Sequence, residues 1–222
     1  KLLGIDPILK GRESQFNDNQ ITVVGDSIET TNFENILGGT PDLIISQHTM
    51  EHVENPRQLV SLLLKCAGAN TVFVFEFPCF DPLLEQLRFD QIFHQHLQYF
   101  SVDSFLRLLK CVDGEVVDYT FNYSYWGSLL IAFRSKQGSV SGDYRPDTGL
   151  FPEKTYASVR ERFDKFMQQI EVARFALNKS NKKSLYGYGA ALMLPVLGYH
   201  LQTDFSEFMG ILDDDPTKDG MG

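Results

Sequence analysis

Cysteine is scarce in this sequence, and its three cysteines are scattered. Cys66, Cys79 and Cys111 form no C-x-x-C pair, so neither a zinc site nor a disulfide framework is supported. Isolated cysteines of this kind are usually small buried hydrophobic residues in a reducing compartment. We therefore predict no metal site in this chain.

Long apolar runs and clusters of positive charge are missing as well. No run of about 18 apolar residues and no signal peptide is recognisable, which predicts a soluble cytoplasmic protein without a membrane partner. The 20 Lys and Arg residues are outnumbered by 29 Asp and Glu, for a net charge of −9. Without a basic patch, the chain is not expected to bind nucleic acid. No pattern indicates an oligomeric state.

Short apolar segments alternate with helix-like segments, which favours βαβ units and a parallel sheet. Asn55, Pro56 and Gly68 bound a predicted helix as N-cap, first residue and stop signal. A second helix is predicted at Val102 to Lys110. The predicted strands are Leu2 to Ile5, Ile21 to Val24, Asp42 to Ser46, Val72 to Phe77 and an antiparallel pair, Glu115 to Asn122 and Ser128 to Arg134.

A change of composition divides the chain. We predict a first domain at 1–136, a linker with a long helix at 137–180, and the start of a second domain at 181–222. The helix is indicated by apolar residues at three- and four-residue spacing from Tyr156 to Ala173. Because both ends resemble interrupted elements, we expect a fragment of a longer polypeptide.

The most informative segment is Phe89 to Phe100, which carries His94 and His96 among aromatic residues. It follows a predicted buried strand, and loops at the carboxyl ends of strands hold ligands in open α/β sheets. Histidine titrates near neutrality and can accept or donate a proton. These histidines either perform proton transfer or only hold a loop in place.

Polar residues follow three other predicted strands. Asp6 could bind a ribose or begin an Asp-Pro turn, while Asp26 and Ser27 could hold an adenine amino group or cap a helix. Gln47 and His48 are expected to line a pocket at a strand tip.

His48 and His52 are spaced four residues apart, as in some metal sites, but no third ligand lies nearby in the sequence. We therefore expect His52 to pack inside the sheet.

The segment Gly187-Tyr188-Gly189-Ala190 is half of a dinucleotide-binding fingerprint, and Asp213 follows at the spacing of a ribose-binding acid. The alternative is a tight strand-to-helix turn, whose backbone amides could still bind an anion.

Taken in order, several segments resemble a known family. The second to fifth strands of class I S-adenosylmethionine-dependent methyltransferases resemble Gly4-Ile5-Asp6-Pro7, Gly25-Asp26, residues 42–53 and Glu76-Phe77-Pro78. Phe89 to Phe100 resembles the Y-x-x-I-Y-H-E-H-x-x-Y-F segment of nucleotide-sugar C-methyltransferases. Tyr125 to Leu129 resembles that family's H-G-G-S-L, and the stretch from Tyr186 to Pro216 resembles its C-terminal Rossmann-like domain.

This resemblance implies an α/β fold: a class I methyltransferase Rossmann-like parallel sheet without its first strand, a helical linker, and the start of a second small Rossmann-like domain. The family's Gly-rich cofactor loop and its zinc-binding module would precede residue 1, so zinc would bind only there. The implied reaction transfers a methyl group from S-adenosylmethionine to the carbon next to the ketone of a nucleotide-linked deoxy-ketosugar. The nucleotide sugar is the implied substrate.

The family pattern also implies roles for individual residues. His96 would be the general base, with His94 and Gln95 beside it. The cofactor would be bound by Asp6, Asp26, Ser27, Gln47 and His48, and the sugar substrate by Phe93, Tyr99, Tyr125, Trp126 and Tyr188.

Four of these positions depart from the family pattern. Phe93 replaces a Tyr that could donate to an enolate, and Gln95 replaces a Glu. Tyr125 and Trp126 stand where the family has His and Gly. The alternatives are a small-molecule O- or N-methyltransferase and a non-catalytic paralogue that binds a nucleotide sugar.

Overall fold

The computed structural model describes residues 1–18, 20–136, 154–180, 184–191 and 193–220. It divides the chain into two compact units. The first comprises the described residues of Lys1–Phe80 and Leu97–Thr148, and the second those of Asp81–His96 and Gly149–Gly222. The predicted domain limits stay predictions, and the linker at 137–153 lies outside the described residues.

The first unit begins with a separate two-stranded sheet. Strands β1 (Leu2–Ile5) and β2 (Ile21–Val24) are parallel, with Ile5 opposite Val24. Their carboxyl ends therefore lie side by side, and the next residues of both strands leave at the same edge.

A four-stranded sheet forms the main layer of this unit, in the order β3-β4-β6-β5. Its strands are β3 (Leu43–Gln47), β4 (Val72–Phe77), β5 (Gly114–Asn122) and β6 (Ser128–Ser135). β3 and β4 are parallel, whereas β6 runs antiparallel to both β4 and β5.

The α/β class, the antiparallel pair and the parallel pairing of β1 with β2 and of β3 with β4 are thus confirmed, but the main sheet is mixed and β1 and β2 form a sheet of their own. The connection between β5 and β6 spans only residues 123–127, and such a short connection requires antiparallel strands. β3 lies at a sheet edge, where Leu43 and Ile45 are 52% and 68% exposed.

Helices α1 (Phe33–Leu37), α2 (Pro56–Lys65) and α4 (Val102–Cys111) also belong to this unit, and α3 (Phe80–Glu85) follows β4. The N-caps of α2 and α4 are Asn55, as predicted, and Ser101, whose side chains accept from the N–H groups of Gln58 and Ser104.

The core of the first unit consists largely of phenylalanine rings. Phe73 stacks on Phe133 with 4.8 Å between ring centroids, and Phe77 lies 4.7 Å from Phe105 of α4. This packing fixes the position of β4 and therefore of the groups at its carboxyl end.

The second unit contains α5 (Tyr156–Lys179), α6 (Leu194–Leu201) and a parallel pair, β7 (Tyr186–Tyr188) and β8 (Gly210–Leu212). The long helix and the strand–helix–strand order are confirmed. One parallel pair does not constitute the second Rossmann-like domain that the resemblance implies.

Helix α5 packs against the turn around Phe89, whose ring lies 5.4 Å from Phe163 and 5.7 Å from Phe166. Tyr156, expected on the apolar side of the helix, is 84% exposed. Among the described residues, no helix is long and apolar enough to cross a membrane.

Candidate active site

A buried carboxylate lies at the carboxyl end of β4. The side chain of Glu76, in a residue only 8% exposed, accepts hydrogen bonds from the Ser128 hydroxyl at 2.6 Å and from the Asn122 amide at 2.9 Å. Its second oxygen accepts from the Gln47 amide at 3.2 Å. Burial opposes ionisation, but the donors outweigh it and hold the pKa of Glu76 below its usual value.

The turn after β3 is fixed to the same residue. The backbone N–H of His48 donates to the carbonyl oxygen of Glu76 at 2.8 Å. His48 has a left-handed backbone, with φ of +48°, and its ring centroid lies 5.3 Å from that of Tyr125. A positive φ is uncommon for a residue with a side chain, and such residues concentrate at functional sites.

A second buried acid, Glu51, lies in the 3₁₀ helix Met50–His52 and is 2% exposed. One of its carboxylate oxygens is 3.4 Å from Nδ1 of His48 and 3.9 Å from Nε2 of His52. Burial raises the pKa of Glu51 above its usual value. Oε2 of Glu51 and Nε2 of His48 are buried and have no hydrogen-bond partner among the described residues.

The structure therefore brings three predicted site residues together, namely Gln47, His48 and Tyr125. It adds Glu51 and Glu76, to which the sequence analysis gave no role. Both acids lie inside the motif segments, but acidic residues are almost never fully buried, so nothing in the sequence indicated their burial.

The prediction for His52 is wrong. Its side chain is 45% exposed, because the residue ends a short 3₁₀ helix after β3 and does not lie in the sheet.

The predicted cofactor residues of the first sheet lie at the carboxyl ends of β1 and β2. Asp6 is exposed and accepts from the N–H of Ile8 at 2.9 Å. Asp26 is exposed and accepts from the N–H of Ser27 at 2.8 Å, and this bond lowers the pKa of Asp26. Ser27 contacts the Thr30 hydroxyl at 3.0 Å. Both alternatives, local cap and cofactor ligand, are compatible with this placement.

His96, the predicted base, belongs to the second unit. Its N–H donates to the carbonyl of Phe93 at 3.1 Å, and its ring centroid lies 4.2 Å from that of Phe93. The neighbouring residues His94 and Gln95 are exposed. Their catalytic roles stay predictions.

The predicted substrate residues belong to both units. Tyr99 is half-buried, and Trp126 is 55% exposed in a left-handed conformation with φ of +55°. Tyr188 is 74% exposed, and its hydroxyl donates to Asp214 at 2.5 Å. Substrate contact stays a prediction for all three.

The glycine turn of the second unit adopts the tight-turn alternative. The N–H of Ala190 donates to a carboxylate oxygen of Asp213 at 2.7 Å, and Lys218 lies 3.0 Å from the same oxygen. Because this amide is already bonded to Asp213, the turn offers less to an anion than the sequence suggested.

Comparison with known proteins identifies the family of the chain. A family model described as a methyltransferase domain matches residues 1–119. The C-methyltransferase NovU of Streptomyces niveus is 24% identical over 139 residues, which are 59% of this chain and 31% of NovU. The chain therefore spans about a third of the length of this relative.

Solved structures with similar folds have lower sequence identity to this chain. Magnesium protoporphyrin IX methyltransferase of Synechocystis PCC 6803, solved with bound SAH, is 17% identical, with a TM-score of 0.42 over 60% of this chain and 64% of its own. The PH0226 protein of Pyrococcus horikoshii OT3 is 15% identical, with a TM-score of 0.43 over 61% and 72%. Such low scores support no argument about this chain.

The family match covers more than half of the 222 residues and includes β1 to β4 with the polar groups that follow them. The chain belongs to the methyltransferase-domain family.

Proposed function

We propose that the protein moves a methyl group from S-adenosylmethionine to the carbon next to the ketone of a nucleotide-linked deoxy-ketosugar. The observation that carries this proposal is the family match over residues 1–119, which contains the turn after β3. In that turn Gln47 donates to Glu76, and the His48 ring lies 5.3 Å from that of Tyr125, which follows the matched residues. The similarity to a C-methyltransferase supports carbon as the acceptor atom.

The residues at the strand ends fit the proposed cofactor. Asp6 and Asp26 offer exposed carboxylates at the ends of two adjacent parallel strands, and carboxylates there accept from ribose hydroxyls and adenine amines. Gln47 and His48 offer amide and imidazole groups at the end of β3 for the methionine part. When bound, the cofactor supplies an electrophilic methyl group on a sulfonium.

Carbon methylation requires a base, because the acceptor carbon is not nucleophilic until its proton is removed. We assign this step to His96, because an imidazole nitrogen can accept a proton from carbon. The enolate oxygen that forms needs hydrogen-bond donors, and Phe93 cannot supply one. Tyr125 and Trp126, which are 50% and 55% exposed, offer ring surfaces to the sugar nucleotide.

The test uses the full-length protein. Calorimetry with S-adenosylmethionine, followed by a panel of nucleoside-diphosphate 4-ketosugars, should show that both bind. Deuterium should then exchange at the carbon next to the ketone, and the methyl group should appear there. Binding of the sugar nucleotide without cofactor binding would favour the non-catalytic alternative, and methylation at oxygen or nitrogen would replace the C-methylation proposal.

His96→Ala separates chemistry from binding. The variant should lose at least about 10²-fold in turnover, the usual contribution of a general base, while its affinity for the cofactor stays within a factor of about two. Unimpaired turnover would remove His96 from the mechanism.

A further inference from the structure

Three segments of the candidate site meet at Glu76. Gln47 at the end of β3 bonds to one carboxylate oxygen, and Asn122 and Ser128 bond to the other. Asn122 ends β5 and Ser128 begins β6, so these two donors flank the turn 123–127 that carries Tyr125.

The same residue also holds the turn after β3 through its backbone. Its carbonyl accepts from the N–H of His48 at 2.8 Å. Glu76 thus joins Gln47 and His48, which we assign to the cofactor, to the turn with Tyr125 and Trp126, which we assign to the acceptor.

We infer that Glu76 is a positioning residue that sets the distance between the cofactor side and the acceptor side of the methyl-transfer site. The inference rests on the proposed function. In-line methyl transfer depends on placement, and displacement of reacting groups by about 1 Å can cost about 10²-fold in rate. A carboxylate that bonds to donors on both sides at once restricts such displacement.

The burial of Glu76 supports this role over direct catalysis. The residue is 8% exposed, and its oxygens are engaged by three protein donors at 2.6 to 3.2 Å. A carboxylate held in this way is poorly placed to accept a proton from a substrate, but it is well placed to hold the groups around it.

Two substitutions of Glu76 distinguish a positioning role from a catalytic role of its negative charge. Glu76→Ala removes all three hydrogen bonds. Glu76→Gln keeps the shape of the side chain, and its amide oxygen can still accept from Asn122 and Ser128. The exposed Gln47 amide can rotate so that its oxygen accepts from the new N–H₂ group. All three hydrogen bonds therefore have a replacement. Positioning predicts that Gln is tolerated and Ala is not, whereas a catalytic charge predicts that both fail.

The experiment measures single-turnover methyl transfer by the full-length protein at saturating cofactor and ketosugar. Glu76→Ala should slow the step about 10²-fold, while the Kd of S-adenosylhomocysteine changes less than about threefold. Glu76→Gln should stay within about threefold of the parent rate. Asn122→Ala, which removes only the acceptor-side amide, should give an intermediate loss and guards against misfolding of Glu76→Ala.

Glu115→Ala is the matched control, because Glu115 is an acid of the same sheet that pairs with Arg134 at the other end of β5, 3.2 Å away. Its transfer rate should be that of the parent. Parent-like rates in folded Glu76→Ala and Asn122→Ala overturn the inference, and so does a Glu76→Gln variant as slow as Glu76→Ala.

A second readout does not depend on the reaction. Amide hydrogen exchange of residues 123–127 should be about tenfold faster in Glu76→Ala, because the turn opens more easily, and unchanged in Glu76→Gln. If the parent protein methylates no ketosugar, the proposed function fails. Unchanged exchange in Glu76→Ala would then overturn the anchoring role as well, whereas faster exchange would uphold it.

Discussion

Two buried glutamates lie near the ends of neighbouring parallel strands, yet their surroundings differ. Glu76 lies near the carboxyl end of β4 and accepts from three donors, which hold its pKa low. Glu51 follows β3, is 2% exposed, and has one oxygen without a hydrogen-bond partner among the described residues, so burial raises its pKa. Burial alone therefore does not set the direction of a carboxylate's pKa shift, because hydrogen-bond donors and nearby charges act against it.

The contrast also separates two kinds of contribution to the site. Glu76 stabilises the structure as an anion, because its neighbours need an acceptor. Ionisation of the buried Glu51 lowers the stability of the folded protein, although the nearby imidazoles of His48 and His52 reduce this loss. A group that costs stability where it lies is more often retained for function than for folding.

The largest effect is expected for Glu76→Ala. Three donors around the site would lose their acceptor, and we expect the free energy of unfolding to fall by about 2–4 kcal/mol. Urea denaturation measures this free energy of unfolding. Glu115→Ala, which breaks a partly exposed ion pair with Arg134, should cost less than about 1 kcal/mol. Equal losses in the two variants would contradict the special role of Glu76.

The pH dependence should be opposite for the two acids. The low pKa of Glu76 means that its stabilising contribution is complete above the unfolded-state value of about 4.5 and is lost as the pH falls through the folded pKa. The raised pKa of Glu51 means that its cost is absent below about 4.5 and appears as the pH rises towards the folded pKa.

Denaturation from about pH 3 to pH 8 tests this difference, with about 1.4 kcal/mol for each unit of pKa difference. The stability of the parent relative to Glu76→Gln should rise with pH, and relative to Glu51→Gln it should fall. Two curves with the same slope would show that the surroundings of the two acids do not differ as described.

The smallest effect is expected for Glu51→Gln at pH 8. Because burial raises the pKa of Glu51, replacing it with a neutral side chain of the same shape should raise the free energy of unfolding by about 1 kcal/mol. Glu54→Gln, the same change at an exposed acid three residues later, should alter it by less than about 0.5 kcal/mol. A clear loss of stability in Glu51→Gln would mean that its ion pairs outweigh its burial.

Local patterns predicted much of the first unit. The bounds of β1, β2 and β4 agree with the apolar runs, and α2 begins at Pro56 after its Asn55 cap as expected. Helix α2 ends at Lys65 rather than at Gly68, because a glycine marks where a helix can stop and not where it must. Signals that lie within a few residues of one another were therefore reliable.

Features that depend on residues distant in the sequence could not be predicted from local patterns. The three donors to Glu76 lie 29, 46 and 52 residues away in the sequence, so no local pattern could show that this acid is buried and satisfied. The division of the strands into separate sheets and the bonding of Asp213 to the Ala190 amide likewise arise from tertiary contacts. The residue types indicated the chemistry of the site, but the sequence did not show which residues bond to one another.

The most direct test of the central proposal is deuterium exchange by the full-length protein in heavy water. The protein would be given S-adenosylhomocysteine and a nucleoside-diphosphate 4-ketosugar, and deuterium at the carbon next to the ketone would be followed by NMR. We predict exchange that is faster than in buffer and that depends on His96. Tight binding of both ligands without exchange would contradict C-methylation.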